Sequence, residues 1–166
     1  ADLINVTSAE GKRSMVVIEN NSCPSGQKSM PLLDDHAELG GYQILLERSF
    51  FPSLKSKRLP AGGLAVLYDK NPMEALGYAS AMADLSGEKV LAVPFHSHNW
   101  QEFGRWENGV LEVKDTAGDW KPIRAAFRYV TQKPWDRLLI GSKTYICNPA
   151  IACLAGGRNK MVAYKA

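Results

Sequence analysis

The stretch from residue 63 to residue 95 constrains the fold more than any other part of the chain. Residues 63–69 (GLAVLYD) form an apolar run of strand length. Asn71 then stands as a helix N-cap, Pro72 takes the first helical position, and Glu74 follows at the spacing of a capping box. Met73, Leu76, Ala79 and Ala83 recur at three and four residues and mark one helix face, and Gly87 supplies the stop. Residues 89–95 (KVLAVPF) are a second apolar run. A strand, a helix and a strand in this order imply a right-handed crossover and a parallel pair. The chain is therefore expected to be α/β: a mixed, largely parallel central sheet with flanking helices and a β-hairpin extension.

The remaining elements are read around that unit. Residues 2–6 make a strand, Glu10-Gly11 a turn, and residues 15–18 a second strand that ends in Glu19, Asn20 and Asn21. If this hairpin pairs closely, Asp2 comes near Glu19, although loop length alone does not fix the register. Leu45, Leu46, Ser49 and Phe50 give residues 31–51 a helical stripe, with Gly40-Gly41 before it and Pro52 as its end. Asn108-Gly109 joins strands 105–109 and 110–114 into a hairpin. Strands are expected at 123–130 and 143–147. A short helix is expected at 149–154, a break at Gly156-Gly157, and a last helix from residue 159.

Length and composition exclude several classes. With 166 residues the chain is expected to be one domain, 1–166, with a real core. Twenty basic against seventeen acidic residues leave +3, too little to argue for nucleic acid as a partner. The densest basic patch, Lys55, Lys57 and Arg58, reads as a solvated loop. Three cysteines, Cys23, Cys147 and Cys153, lack metal-type spacing, and no signal-peptide pattern precedes them, so the expected setting is reducing and cytoplasmic. No apolar run is long enough for a membrane helix. Ala1 in place of Met and a helical pattern in the last residues lead to the expectation of a piece excised from a longer protein, whose remainder would be a partner.

Several residues carry candidate chemistry. Glu19 and Asn21 project to one face at a strand exit and offer two hard oxygen ligands suited to magnesium; the plainer reading is a solvated strand end opening a turn. His96 and His98 sit two apart on an extended segment, but a zinc site needs a third ligand, and Trp100 and Phe103 nearby argue for packing. Cys23 lies in a Pro-Ser-Gly loop and could act as a nucleophile with a positioned histidine, or simply fill the loop. Gly156-Gly157-Arg158-Asn159-Lys160 could hold an anion but lacks Walker spacing. The turn after the 63–69 strand carries no glycine to admit a pyrophosphate, which argues against a dinucleotide fold.

Taken in order, four stretches resemble the circularly permuted ATP-grasp ligases, the group that includes glutathionylspermidine synthase. They are Val17-Ile18-Glu19-Asn20-Asn21 with Pro24-Ser25-Gly26; the strand–helix–strand of 63–95; residues 123–129 leading to Pro134-Trp135-Asp136; and Ser142-Lys143-Thr144-Tyr145-Ile146. The resemblance implies ATP-dependent joining of a carboxylate substrate to an amine substrate through an acyl phosphate, with ATP and Mg2+ as cofactors. It implies Asp2, Glu19 and Asn21 as magnesium ligands, Ser25 against the carboxylate substrate, and Lys143 on the nucleotide. Lys160 is a further candidate for the nucleotide and Arg128 for a substrate anion; their plain readings are a surface lysine and a strand-end arginine. The chain departs from the family in stopping before the lid, and in having only Ala1 before Asp2. The fragment is thus expected to fold without catalysing. The alternatives are a non-catalytic binding or scaffold domain of the same fold and a Cys23-dependent hydrolase.

Overall fold

A computed structural model describes residues 2–19, 40–55 and 58–153. Within them lie two sheets. Strands β1 (Asp2–Thr7) and β2 (Arg13–Glu19) form an antiparallel hairpin of their own. The second sheet has six strands: β3 (Gly63–Tyr68), β4 (Val90–Pro94), β5 (Gly104–Glu107), β6 (Val110–Lys114), β7 (Trp120–Tyr129) and β8 (Tyr145–Cys147). Their order is β4-β3-β7-β6-β5, with β8 also on β7. Pairs β3–β4, β3–β7 and β7–β8 are parallel, whereas β5–β6 and β6–β7 are antiparallel. The expected mixed α/β sheet with a hairpin extension is what the chain forms.

The long strand β7 makes this mixture possible. Its first half pairs with β6 and its second half with β8, so antiparallel and parallel ladders succeed each other along one edge. Side chains of the central strand β3 alternate as a two-residue period requires. Leu64 and Val66 enter one core and Ala65 and Leu67 the other. The first core is covered by helices. There α3 (Pro72–Ser86) sets Tyr78 on Phe127, with ring centroids 4.4 Å apart, and α1 (Gly40–Leu45) sets Tyr42 edge-on to Tyr78 at 4.8 Å. The second core is covered by the β5–β6 hairpin and the loops around Trp100, Phe103 and Leu138. The Trp106 indole N–H donates to the Arg137 carbonyl at 2.9 Å, which ties the hairpin to the β7–β8 connection.

Local departures from the expected elements have identifiable causes. Pro52 does not end its helix. The helix continues through a π-turn at Leu46–Phe50 into α2 (Phe51–Lys55), and the Phe51 N–H reaches back to the Leu46 carbonyl. The wider turn shifts the hydrogen-bond pattern one residue before the proline, whose missing N–H is thereby tolerated. The capping box at α3 does not form either: Asn71 adopts a left-handed conformation without a side-chain cap, and Glu74 accepts the Tyr42 hydroxyl instead, at 2.9 Å. The helix is consequently rotated. Ala75, Tyr78, Ala79 and Met82 are buried, and Met73 and Leu76 lie exposed. Gly87 closes the helix as expected, in the left-handed region with its N–H on the Ala83 carbonyl. A final turn, α4 (Ala150–Ala152), follows β8. No helix among the described residues is long and apolar enough to cross a membrane.

Candidate functional site

Open α/β sheets commonly hold ligands at the carboxyl ends of their parallel strands. In this chain that edge is closed by its own side chains. Asp69, at the exit of β3, accepts the main-chain N–H groups of Thr131 (2.9 Å) and Gln132 (2.7 Å) and the Thr131 hydroxyl (3.1 Å). The Arg137 guanidinium lies 3.5 Å from the same carboxylate, with both side chains nearly fully buried. Beside it, the His96 and His98 rings stack with centroids 5.6 Å apart, and Tyr68 meets His96 edge-on at 6.4 Å. Among the described residues no group of three metal-ligating side chains gathers. His96 is half-buried and His98 exposed.

The opposite end of β8 is open and basic. Thr144, 1% exposed, fixes it: its hydroxyl donates to the Ile123 carbonyl at 2.6 Å and accepts the Leu111 N–H at 2.8 Å. The start of β8 is thereby riveted to β6 and β7. One residue earlier, the Lys143 N–H donates to the Gly109 carbonyl at 2.7 Å, and the lysine stem runs over Gly109. Asn108 and Gly109 both have positive φ, as a tight two-residue turn requires, and this turn forms the shelf that carries Lys143. Ser142 donates its hydroxyl to the Thr144 carbonyl at 2.6 Å.

Arg58, Leu59 and Pro60, which lead into β3, face Ser142, Lys143 and Tyr145 across a cavity of about 450 Å3. Among the described residues, two cations and no carboxylate line it. Neither Arg58 nor Lys143 is ion-paired among the described residues. The Tyr145 ring forms one wall, tilted against Phe50 at 6.2 Å. Burial holds the Tyr145 phenol above its ordinary range, partly offset by a hydrogen bond with the Ser53 side chain. Another cavity, of about 300 Å3, is bordered by Lys89, Asp115 and Lys121, but there Asp115 and Lys121 pair at 3.6 Å and balance each other. Among the described residues, Arg58 and Lys143 face the first cavity with no carboxylate beside them, whereas Asp115 offsets part of the charge at the second; a positive field of this kind attracts small anions.

Of the residues singled out from the sequence, Asp2, Glu19, Arg128 and Lys143 are described, and Arg128 and Lys143 lie apart. Asp2 and Glu19 are Cα partners at the open end of the hairpin, with a register shift beside them. Asn21, Cys23, Ser25, Lys160 and the Gly156-Gly157 loop lie outside the described residues. Arg128 is wholly buried, donating from Nε to the Asn148 carbonyl and from Nη1 to the Val130 carbonyl. Among the described residues of the set, Lys143 lines the basic cavity. Arg58, its counterpart, was read as part of a solvated loop; the run Lys55, Lys57, Arg58 was the available signal.

No family model matches the chain, and no solved structure matches it. The chain is similar to a probable mitochondrial 4-hydroxy-2-oxoglutarate aldolase of Emericella nidulans, 34% identical over 91 residues. The match takes in 52% of this chain and 29% of the relative, so the chain spans less than a third of the curated protein that it matches. This corrects the expectation of an ATP-grasp, metal-binding carboxylate–amine ligase: the similarity found is to an aldolase, which is not a ligase. The motifs behind the ligase resemblance are short, and they are rich in the Asn, Pro, Gly and Asp that strand exits and turns select for conformational reasons.

Proposed function

We propose that the chain is part of a carbon–carbon lyase of the aldolase type, and that the cavity between Arg58 and Lys143 binds the carboxylate end of a small 2-oxo acid. The observation that carries this reading is a cavity that, among the described residues, is lined by two cations without ion pairs and by no carboxylate. The partial similarity to an aldolase supports the reaction class.

In this reading Arg58 takes the carboxylate, because a planar guanidinium can meet both oxygens at once. Lys143 stands on its glycine shelf toward the 2-oxo group. Cleavage of a 4-hydroxy-2-oxo acid breaks the C3–C4 bond. The bond's electron pair moves toward C2 and its oxygen, while the C4 hydroxyl gives its proton to solvent and becomes an aldehyde; a proton from solvent at C3 then completes the 2-oxo acid product. Negative charge then develops beside the 2-oxo group, where a fixed cation lowers the barrier. The buried free thiols Cys147 and Cys153 support a reducing compartment, and with it a cytoplasmic setting.

The test is titration of the chain with pyruvate, followed by NMR of the backbone amides. Shifts centred on residues 58–60 and 142–145, lost together in Arg58→Gln and Lys143→Met, are expected. Shifts located elsewhere, or none at millimolar pyruvate, overturn the reading. Pyruvate release from a 4-hydroxy-2-oxo acid with an alkyl group on C4, coupled to NADH oxidation by lactate dehydrogenase, tests the reaction class in the full-length parent.

A further inference from the structure

Ser142 borders two hollows. On one side is the basic cavity; on the other is a hollow of about 160 Å3 walled by Leu138, Ile140, Ile146 and Ile151. We infer that the two are one site, and that its ligand is an acid with a short unbranched aliphatic tail: the carboxylate end sits at Arg58 and Lys143, and the tail crosses Ser142 into the apolar hollow. This rests on the reading of the basic cavity given above and adds the chemistry of the far end of the substrate.

Three observations favour an aliphatic tail. Among the described residues no charged side chain lines the second hollow, so a second carboxylate there would lie against apolar walls without a partner from them. Its polar side chains are already engaged: the Thr144 hydroxyl by Ile123 and Leu111, and the Ser142 hydroxyl proton by the Thr144 carbonyl. Ile140 and Ile151 are 60% and 50% exposed, so apolar surface on this rim stands open to water and gains by being covered. A methylene occupies about the room of a water molecule, roughly 30 Å3, so the hollow takes about five carbons.

The experiment is calorimetric titration of the chain with butanoate, hexanoate and octanoate, and with glutarate and suberate as dicarboxylates. Full burial of a methylene gives about a fourfold gain in affinity, and this hollow is open on one side, so about two- to threefold per added methylene is expected up to octanoate. Ile151→Asp should flatten the rise in affinity from butanoate to octanoate. Lys143→Met should weaken every member by the same factor. Unaltered urea midpoints would establish that the variants fold.

An affinity independent of chain length, a gradient that persists in Ile151→Asp, or suberate binding more tightly than octanoate would overturn this inference and leave the basic cavity standing. Failure of every acid to bind would overturn both.

Discussion

Asp69 and Arg137 lie 3.5 Å apart with side chains 5% and 1% exposed, and they join the exits of β3 and β7. The pair is asymmetric. The carboxylate is met by two main-chain N–H groups, a hydroxyl and the guanidinium. Among the described residues the guanidinium reaches Asp69 and the Gln132 carbonyl through Nη2, and its buried Nε and Nη1 have no hydrogen-bond partner. Burial pulls the Arg137 pKa down, and the charges of Asp69 and Asp136 work against that pull.

This asymmetry predicts unequal costs. Asp69→Ala should cost about 3–5 kcal/mol, because it leaves a buried cation and three donors without their acceptor. Arg137→Met should cost less, since it removes two unsatisfied nitrogens along with the charge. Urea denaturation of both variants checks the order. Equal losses, or a larger loss for Arg137→Met, would show that the carboxylate is not the centre of the clamp.

Gly77 faces the Tyr42 ring, and a Cβ built on it would stand 2.6 Å from the tyrosine Cζ. In an exposed helix, replacing glycine by alanine stabilises by about 1 kcal/mol. Here Tyr42 is 1% exposed and its hydroxyl is bonded to Glu74, so the ring has little room to withdraw. Gly77→Ala should therefore destabilise by about 1–3 kcal/mol. In a Tyr42→Leu background the clash disappears, and the same substitution should become neutral or stabilising. A thermal-melt double-mutant cycle reads the difference, and additivity of the two changes would contradict the contact.

How much of this was legible beforehand depended on sequence separation. The period-two alternation of β3, the Asn108-Gly109 turn and the Gly87 stop are local, and each is written in neighbouring residues. Glu74 shows where local reading gives out. Its spacing from Asn71 fits a cap, yet Tyr42, distant in sequence, takes the carboxylate. Pro52 is similar, since a π-turn upstream absorbs its missing N–H. The basic cavity was half legible. Lys143 stood out, but Arg58 became its neighbour only when β7 paired with β3 on one side and β8 on the other. The clamp at Asp69 likewise joins residues far apart in the chain, and no spacing rule announces it.

One buried and one half-buried acid, Cys147 and Tyr145, predict how stability responds to alkali. Burial raises the Cys147 thiol, with Tyr145, the Asn148 main chain and the Arg128 charge partly offsetting it, and burial likewise raises the Tyr145 phenol. In the unfolded chain these groups ionise near their ordinary values, about 8.5 and about 10. The folded chain holds both protons more tightly. Their contribution is thus fully present below about pH 8.5 and is lost as pH rises through the unfolded values toward the folded ones. The urea midpoint should be level from pH 7 to about 8 and fall above about 9. Cys147→Ala should flatten the first part of that fall and Tyr145→Phe the second. A wild-type midpoint that stays level through the unfolded tyrosine value would remove the basis for both.

Thr144 links the core to the basic cavity, and its loss should register in both. Thr144→Val keeps the shape of the side chain but removes the hydroxyl, which leaves the Leu111 N–H and the Ile123 carbonyl without that partner in a buried setting. A buried main-chain group stripped of its partner costs about 1–3 kcal/mol, so a loss of about 2–4 kcal/mol is expected. The start of β8 then loses its anchor, and Lys143, one residue away, is held only through Gly109. Affinity for pyruvate or butanoate should fall with it, although Thr144 sits outside the basic cavity. Thr144→Ser restores the hydroxyl and should recover most of both quantities. Titration of the two variants beside their urea midpoints decides the matter. If Thr144→Val loses stability but binds the acid as tightly as the wild type, Lys143 does not depend on the β8 anchor, and the shelf at Gly109 alone positions it.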